Sequence, residues 1–505
     1  MDTTTGSVPG PTGGLTRGQE NRALVALTLP VLLISMDATI LGFAVPRLSE
    51  DLEPTSAELL WIIDIYSFVL SGLLITMGNV GDRIGRRRLL LFGAAAFSLA
   101  SLAAAFAPTP LALIGARALL GVAGATLMPS TLSLIRNIFM DDRRRQFAVA
   151  VWATMFSVGA VVGPIAGGLL LEHFWWGSVF LVGVPVTTAL LLIGPRVIPE
   201  SRDPDPAPFD VLSSILSMAA ILPLIYGMKI VAERGWSTVV TPSLVIGLVA
   251  TWAFVRRQRV LPVPMIDLSL FAVPKFRVAI TGNLLTCVGF AGSTFFVTQY
   301  LQLVLGLSPT RAALQLLPGA TAGVISTMSA PAMTRRFGTF AVITTGLATG
   351  AVGFLVLTQL SVDSSLVPVT VALVIIEAGL CAAITVAIDA IITSVPPEKA
   401  GAGASVSETA NELGVALGTA VLGSILTATY RRQLEDSAIP AATLDEARET
   451  LGAAHVTAGD LGGAMGDALR AAADVAFTDG LRLASAVAAV LLAGVSIASW
   501  RVSHR

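Results

Sequence analysis

The sequence predicts an all-α membrane protein of fourteen transmembrane helices, arranged six, two and six, and three observations predict it. Of the 505 residues 54% are hydrophobic and 13% charged, about half the charged share of a soluble domain, and the mean hydropathy is +0.79. The apolar residues come in runs of about 20, the length that carries a helix across a bilayer. The 32 Lys and Arg divide unevenly between alternate connecting segments. With the amino terminus inside, 22 fall on the inner side and seven on the outer, while Arg117, Lys229 and Arg482 lie within or at the edges of spans. One missed span would invert every later segment, so this bias supports the count and puts both termini in the cytoplasm of a bacterial inner membrane.

Residues 1–22 form a Gly/Thr/Pro-rich tail that reads as disordered. The run 23–46 is too long for a signal-peptide core and lacks a small-x-small cleavage site, so it is a retained first span. Further spans fall at 60–77, 89–107, 111–134, 147–171 and 179–197, completing an amino-terminal bundle over 23–198. A charged, proline-rich break at 199–209 opens a linker, 199–277, with two extra spans at 211–231 and 242–255. The carboxy-terminal bundle, 278–505, has spans at 278–305, 312–333, 340–360, 366–394, 401–429 and 479–500. Its long outer segment, 430–477, is rich in Ala, Gly, Asp and Glu and is either a small helical hairpin or a disordered loop.

Several function classes are excluded. Lys229, Lys275 and Lys399 all lack a preceding glycine, so there is no phosphate-binding Walker loop. His173, His455 and His504 lie outside the spans and far apart, which leaves no histidine-based metal site, and no Ser/His/Asp set shares one region. Cys287 and Cys381 sit in separate apolar runs and read as small packing residues rather than a disulfide. A net charge of -1 gives no reason to expect nucleic acid. The chain is thus neither an enzyme nor dependent on a cofactor.

Ionisable groups inside spans are costly and mark a pathway by default. Asp37 in the first span and Asp64 in the second lie at matched depth, about 7–12 Å from the outer end at 1.5 Å per residue. Two such acids on adjacent helices suggest one shared cavity, with Arg117 at similar depth neutralising one and leaving the other to meet a proton or a cation. In the second half Glu377 and Glu412 lie near mid-span, and Asp389 and Glu408 nearer the inner ends. Glu408 and Glu412 are four apart and share a helix face. Any of these acids has a plain structural reading too, as a snorkelling or hydrogen-bonded group.

The short inner connection 78–88 contains Gly78, Asp82, Arg83, Gly85 and Arg86. Topology alone asks for the arginines but not for Asp82, an acid suited to capping helix amides and pairing with arginine. In the fifth span Gly159, Gly163 and Gly167 form a smooth stripe for close helix approach, and Pro164, followed by Gly168 one turn on, interrupts the backbone ladder.

These motifs resemble the major facilitator superfamily, within it the fourteen-helix, QacA-like drug/proton antiporters. Residues 78–90 resemble the loop motif GxLaDrxGrkxxl, with Val80 for the leucine. Residues 113–125, around Arg117 and Gly121, are similar to lxxxRxxqGxgaa, with Leu120 at the polar position. Residues 159–168 match gxxxGPxxGG. Residues 36–46 resemble lDxTvxnvAlP, with Gly42 for the asparagine, and Trp61 to Ser67 resemble WIVDIYS with its second acid. In the second half Thr334, Arg335, Arg336, Phe337 and Gly338 occupy the loop-motif place without its aspartate.

The resemblance implies a major facilitator fold, two six-helix bundles around a central cavity, and inward proton flow coupled to export of lipophilic, mostly cationic drugs, dyes and biocides, with fluoroquinolones a further expectation. It assigns proton coupling to Asp37, Asp64 and Arg117, with Glu412 and Glu377 contributing, a conformational lock to Asp82 with its neighbouring glycines and arginines, and the direction of antiport to the Gly159–Pro164–Gly167 motif. Trp61, Tyr66, Trp152, Phe156, Phe290, Phe295, Phe296, Met128 and Met155 are the expected apolar and cation–π surface for such cargo. The expected partners are small lipophilic cations, protons and the lipid bilayer, with the chain acting as a monomer. Export of one dedicated metabolite, and a non-transporting membrane binding or sensing role, are the alternatives.

Overall fold

The computed structural model describes residues 16–54, 56–202, 210–234, 236–262, 264–435, 439, 447–448 and 450–503. Residues 1–15, 203–209 and most of 436–446 therefore lie outside it, and with them most of the expected tail, part of the polar break and part of the outer segment. The helices are α1 (Arg17–Leu52), α2 (Ser56–Ile84), α3 (Arg86–Ala105), α4 (Pro110–Ile138), α5 (Asp142–His173) and α6 (Ser178–Val197). The linker supplies α7 (Val211–Arg234) and α8 (Val240–Val260). Then follow α9 (Pro274–Val304), α10 (Pro309–Phe337), α11 (Thr339–Leu357), α12 (Leu366–Thr393), α13 (Ala400–Glu435) and α14 (Gly463–Ser503).

Local chemistry sets the boundaries. Thr109 caps α4 by accepting from the Ala112 amide at 3.2 Å, Asp141 caps α5 through the Arg144 amide at 3.0 Å, and Ser308 caps α10 through the Arg311 amide at 3.4 Å. The turns α2–α3 and α10–α11 are made at Gly85 (φ 111°) and Gly338 (φ 86°), backbone conformations open mainly to glycine. Their equivalent positions in the two halves are a trace of internal repetition.

Among the described residues twelve helices are long and apolar enough to cross a membrane, against the fourteen expected. The windows expected at 242–255 and 312–333 are helical, but α8 and α10 fall short of that apolarity. Arg256, Arg257 and Arg259 cut the apolar run of α8, while α10 carries Thr, Ser, Gln, Pro318 and Pro331 between Arg311 and Arg335. Within the expected outer segment, a short helix (Leu451–Leu461) follows the end of α13, and α14 begins sixteen residues before the expected span. Tyr430 fixes this hairpin by donating to the Ala447 carbonyl at 2.7 Å.

Two large apolar cores mark the halves, one built mainly by α1–α6 and joined across the seam by Ile388 and Ile392 of α12 and Ala404 of α13, the other built by α9–α14. A third, smaller cluster seats the linker: Ile221 and Ile225 of α7 and Phe254 of α8 pack with Phe68 and Ile75 of α2 and Ala416 of α13. The extra helices thus lie against the seam between the halves. The α2–α3 turn carries Arg83, Arg86, Arg87 and Arg88, and its end of the bundle is here called the basic face.

Candidate functional site

Between the halves lies a cavity of about 450 Å³. Its amino-terminal wall is Ile34, Ser35 and Thr39 of α1, Tyr66, Ser67 and Leu70 of α2, Met128 of α4, and Trp152, Ala153, Phe156 and Ser157 of α5. The opposite wall is Cys287 and Phe290 of α9, Thr327 of α10, Glu377, Cys381, Ile384 and Ile388 of α12, and Glu408, Asn411, Glu412 and Val415 of α13. All three carboxyl groups among the lining residues stand on the carboxy-terminal wall, and none of the lining residues is Lys, Arg or His. The facing wall is aromatic. Trp152 donates Nε1–H to Thr131 Oγ1 at 3.1 Å, which fixes the indole edge-on to Phe156 at 5.1 Å between centroids.

Ser71 Oγ of α2 donates to Glu412 Oε2 at 3.0 Å, a contact across the two halves, and Asn411 Nδ2 donates to Glu408 Oε2 at 3.4 Å. Glu408 is 3% exposed, yet its Oε1 has no hydrogen-bond partner, an expensive condition for a buried carboxyl oxygen. Cys381 Sγ donates to Glu377 Oε2, and Cys287 Sγ to Asn411 Oδ1, both at 3.5 Å. The Tyr66 hydroxyl, also lining the cavity, is buried without a partner.

Asp37 stands behind this wall, 7% exposed and in a buried ion pair with Arg117, Nη1 to Oδ2 at 2.7 Å. Arg117 also donates to the carbonyls of Ile62 (3.1 Å) and Ile63 (3.3 Å), and its guanidinium lies 4.8 Å from the Tyr66 ring centre. The expected neutralisation by Arg117 therefore falls on Asp37, and Tyr66 separates that pair from the cavity. Asp64, half-exposed on α2, is likewise not among the lining residues.

The glycine stripe of α5 faces α1 beside this pair. A Cβ at Gly159 would stand 2.6 Å from Ser35 Cβ, one at Gly167 2.7 Å from Ile40 Cγ1, and one at Gly163 would meet Thr39 Oγ1. Ser35 uses the close approach to donate to the Phe156 carbonyl at 2.7 Å. The Pro164 side chain lies outside the described residues, as does that of Phe295.

Two latches join the halves at the basic face. Asp82 accepts from Arg86 Nε at 2.7 Å and from the amides of Gly401 (3.1 Å) and Ala402 (3.2 Å), which puts a carboxylate on the amino terminus of α13. Arg86 also donates to the Pro397 carbonyl at 3.1 Å, and to Ser201 Oγ at 2.9 Å. A Cβ at Gly78 would collide with Ser405 and stand 2.6 Å from the Gly401 carbonyl, so this crossing needs glycine. Arg83 is exposed. On the other side of the seam Arg145 Nε of α5 donates to Asp389 Oδ1 of α12 at 3.0 Å, both side chains nearly buried. That partner for Asp389 carries no sequence signature, because 244 residues separate the two.

Of the expected aromatic surface, Trp61 and Phe296 stand elsewhere. Trp61 is 40% exposed and stacks on Tyr226 of the linker (5.9 Å, 11°), so it holds α7 rather than facing the cavity. Phe296 is fully buried in the core of α9–α14, and half-buried Met155 packs against that of α1–α6. The membrane-crossing parts of α2, α5 and α9 carry apolar residues on every side, which leaves no facial signal to orient such residues. The sequence also concealed the small polar lining residues Ser35, Thr39, Ser67, Thr327 and Asn411, whose types are common in membrane helices as back-bonding or packing groups.

A family model described as Major Facilitator Superfamily matches residues 27–419. The chain is 47% identical over 474 residues to the multidrug efflux pump LfrA of Mycolicibacterium smegmatis, covering 93% of this chain and 94% of that protein. It is 35% identical over 484 residues to the methyl viologen resistance protein SmvA of Salmonella typhimurium, covering 94% and 97%. Among solved structures it is similar in fold to the human organic anion transporter MFSD10 (TETRAN), with a TM-score of 0.60 at 14% identity over 94% of this chain and 99% of that one.

Proposed function

The chain belongs to the major facilitator superfamily, a family of transporters rather than enzymes, and from that premise we propose that it exports lipophilic cationic drugs, dyes and biocides across the bacterial cytoplasmic membrane in exchange for protons. One observation carries the reading: a cavity with an aromatic wall facing three carboxyl groups and no basic lining residue. Such a cavity rewards a cation with a broad apolar body through charge pairing, cation–π contact and desolvation. The names of LfrA and SmvA support the same class of cargo, and fluoroquinolones with a protonated amine fit it chemically.

Proton exchange follows from the same groups. Cargo binds the carboxylates of Glu408, Glu412 and Glu377; protonation from outside removes their charge and releases it, and loss of the protons inside restores the site. Asp37 and Arg117 form a buried pair that sets the field behind Tyr66, and Asp64 stands eight residues into α2 from its outer end. The basic face is cytoplasmic with both termini, a reading the distribution of Lys and Arg supports, and the two latches hold the cytoplasmic side shut in this conformation. Gly159, Gly163, Pro164 and Gly167 keep α5 against α1 as the halves rock. All fourteen helices cross the membrane, α10 packing on α12 and α5 on one side and turning Leu314, Leu317, Ile325 and Met328 outward on the other, and the chain works as a monomer.

Ethidium efflux into inverted vesicles tests this at matched expression. Uptake that collapses with a protonophore, and that Glu408→Gln and Asp37→Asn abolish, is expected. Ethidium flux indifferent to the proton gradient would refute the coupling, and no flux from folded protein would refute the cargo class.

A further inference from the structure

Tyr66 carries a hydrogen-bond donor that the protein leaves unused. The residue lines the cavity and is 3% exposed, and its hydroxyl is buried without a partner, whereas a buried tyrosine hydroxyl ordinarily has one. Neighbouring donors on the same wall are engaged within the chain. Ser35 Oγ donates to the Phe156 carbonyl at 2.7 Å, Thr39 Oγ1 to the Ser35 carbonyl at 3.1 Å, and Trp152 Nε1 to Thr131 Oγ1 at 3.1 Å.

The phenol is also held in place. A Cβ at Gly121 of α4 would stand 2.6 Å from the Tyr66 carbonyl oxygen, and one at Gly124 would stand 3.2 Å from the hydroxyl oxygen and 3.5 Å from Cε2. Glycine at 124 therefore leaves the hydroxyl its room, while Arg117 of the same helix sets its guanidinium 4.8 Å from the ring centre. A cation over the ring face draws electron density from the phenol, which makes the O–H a stronger donor and its oxygen a poorer acceptor. A donor fixed in advance loses little entropy when it is met. What meets it must accept a hydrogen bond. The carboxyl groups stand on the facing wall, so a cargo that brings its positive charge to them and a carbonyl oxygen or ring nitrogen to Tyr66 satisfies both walls. A cargo without an acceptor leaves the buried hydroxyl unpaired, which is costly.

We propose that the Tyr66 hydroxyl, set by Gly124 and polarised by Arg117, is a specificity-determining donor, and that preferred cargo is an aromatic cation carrying a neutral hydrogen-bond acceptor away from its charge. This rests on the export reading above and adds a requirement on the uncharged part of the substrate. Two cations of equal charge and similar apolar body are then told apart by a single carbonyl group.

Binding to the purified full-length protein tests the assignment, with tetraphenylphosphonium and (4-acetylphenyl)triphenylphosphonium as probes that share charge and aromatic body and differ by one acetyl group. Tyr66→Phe removes only the hydroxyl and is expected to weaken the acetyl probe about fivefold more than the parent, the loss of one hydrogen bond. Gly124→Ala keeps the hydroxyl but sets a methyl group against it, and is expected to move the ratio of the two affinities in the same direction. A monodisperse elution profile for each variant establishes that it is folded, and a purely structural role for Tyr66 would weaken both probes alike. An unchanged ratio in either folded variant, or a shift toward the acetyl probe, overturns the assignment. Wild-type protein that binds tetraphenylphosphonium but not the acetyl probe overturns it as well and leaves the export reading standing. Wild-type protein that binds neither overturns the export reading itself.

Discussion

In the amino-terminal half the buried carboxylate of Asp37 meets Arg117 at 2.7 Å, and Arg117 donates also to the carbonyls of Ile62 and Ile63. In the carboxy-terminal half Glu408 has one long hydrogen bond from Asn411 and an oxygen with no partner at all. Two bundles of one fold therefore treat buried negative charge in opposite ways. The first closes its charges on themselves behind Tyr66. The second pairs Asp389 with Arg145 near the basic face but leaves Glu408 open to the cavity, where cargo and protons compete for it. Charge that is compensated internally holds the framework and sets a field; charge that is not is available for exchange.

The comparison breaks most directly at Arg117. Arg117→Ala leaves Asp37 buried without a counter-ion, which costs about 3–5 kcal/mol and is expected to lower the melting temperature in detergent and abolish efflux. Glu408→Gln removes a charge that had no basic partner, so the same melt is expected to stay unchanged or rise while efflux is lost. Equal destabilisation by the two changes would remove the distinction between the halves.

Next in size are the latches, where one half binds the other. Asp389→Ala leaves Arg145 buried with only Asp142 beside it and is expected to cost about 1–3 kcal/mol. Cys287 and Cys381 line the cavity and serve as native reporters. A membrane-impermeant maleimide is expected to label them from the basic face faster in Asp389→Ala and Arg145→Asp than in the wild type, and the swap Arg145→Asp with Asp389→Arg is expected to restore slow labelling. Unchanged labelling in the single variants would show that the pair is no gate.

Trp61→Ala distinguishes framework from cargo surface. Loss of its stacking on Tyr226 is expected to cost about 1 kcal/mol in the thermal melt and to leave ethidium efflux intact, whereas Trp152→Ala is expected to weaken ethidium binding. Loss of binding in Trp61→Ala would return that residue to the cavity.

What the sequence makes legible, and what it conceals, follows from the bilayer as solvent. Long apolar runs and arginine-rich turns are imposed by length and charge alone, so the helical order and the Arg117 partnership with an acid at its own depth can be read directly. The facing of single residues cannot, because the membrane-crossing parts of α2, α5 and α9 carry apolar residues on every side: Trp61 and Phe296 look no different in sequence from Trp152 and Phe290. The openness of Glu408 has a faint signal, its spacing of four from Glu412, but its missing partner is a fact of three dimensions. The same holds for Glu377, which packs against Gly319 and Gly323 of α10, more than fifty residues away in the chain.

The smallest expected effect lies in the linker, where an acid at the membrane edge shows how little a charge matters once water can reach it. Asp210 precedes α7 and pairs with Arg257 of α8, Nη2 to Oδ1 at 2.9 Å, while Ser213 donates both its amide and its hydroxyl. Partial burial pushes the Asp210 carboxyl up, but the hydrogen bonds from Arg257 and Ser213 and the Arg257 charge outweigh it and hold the group at about 2, below its ordinary value of 3.8. A carboxyl lowered on folding stabilises the folded state above its unfolded value. That contribution is therefore complete above about pH 4 and fades as pH falls toward 2. Both partners are partly exposed, so Asp210→Asn is expected to cost less than about 1 kcal/mol at pH 7. Thermal melts of the wild type and Asp210→Asn are expected to differ slightly at pH 7 and to converge as the medium is acidified through that window. A gap that persists at the acid end would mean that Asp210 acts by shape rather than charge, and that the linker is anchored by Gln258 and the apolar cluster around Ile221 instead.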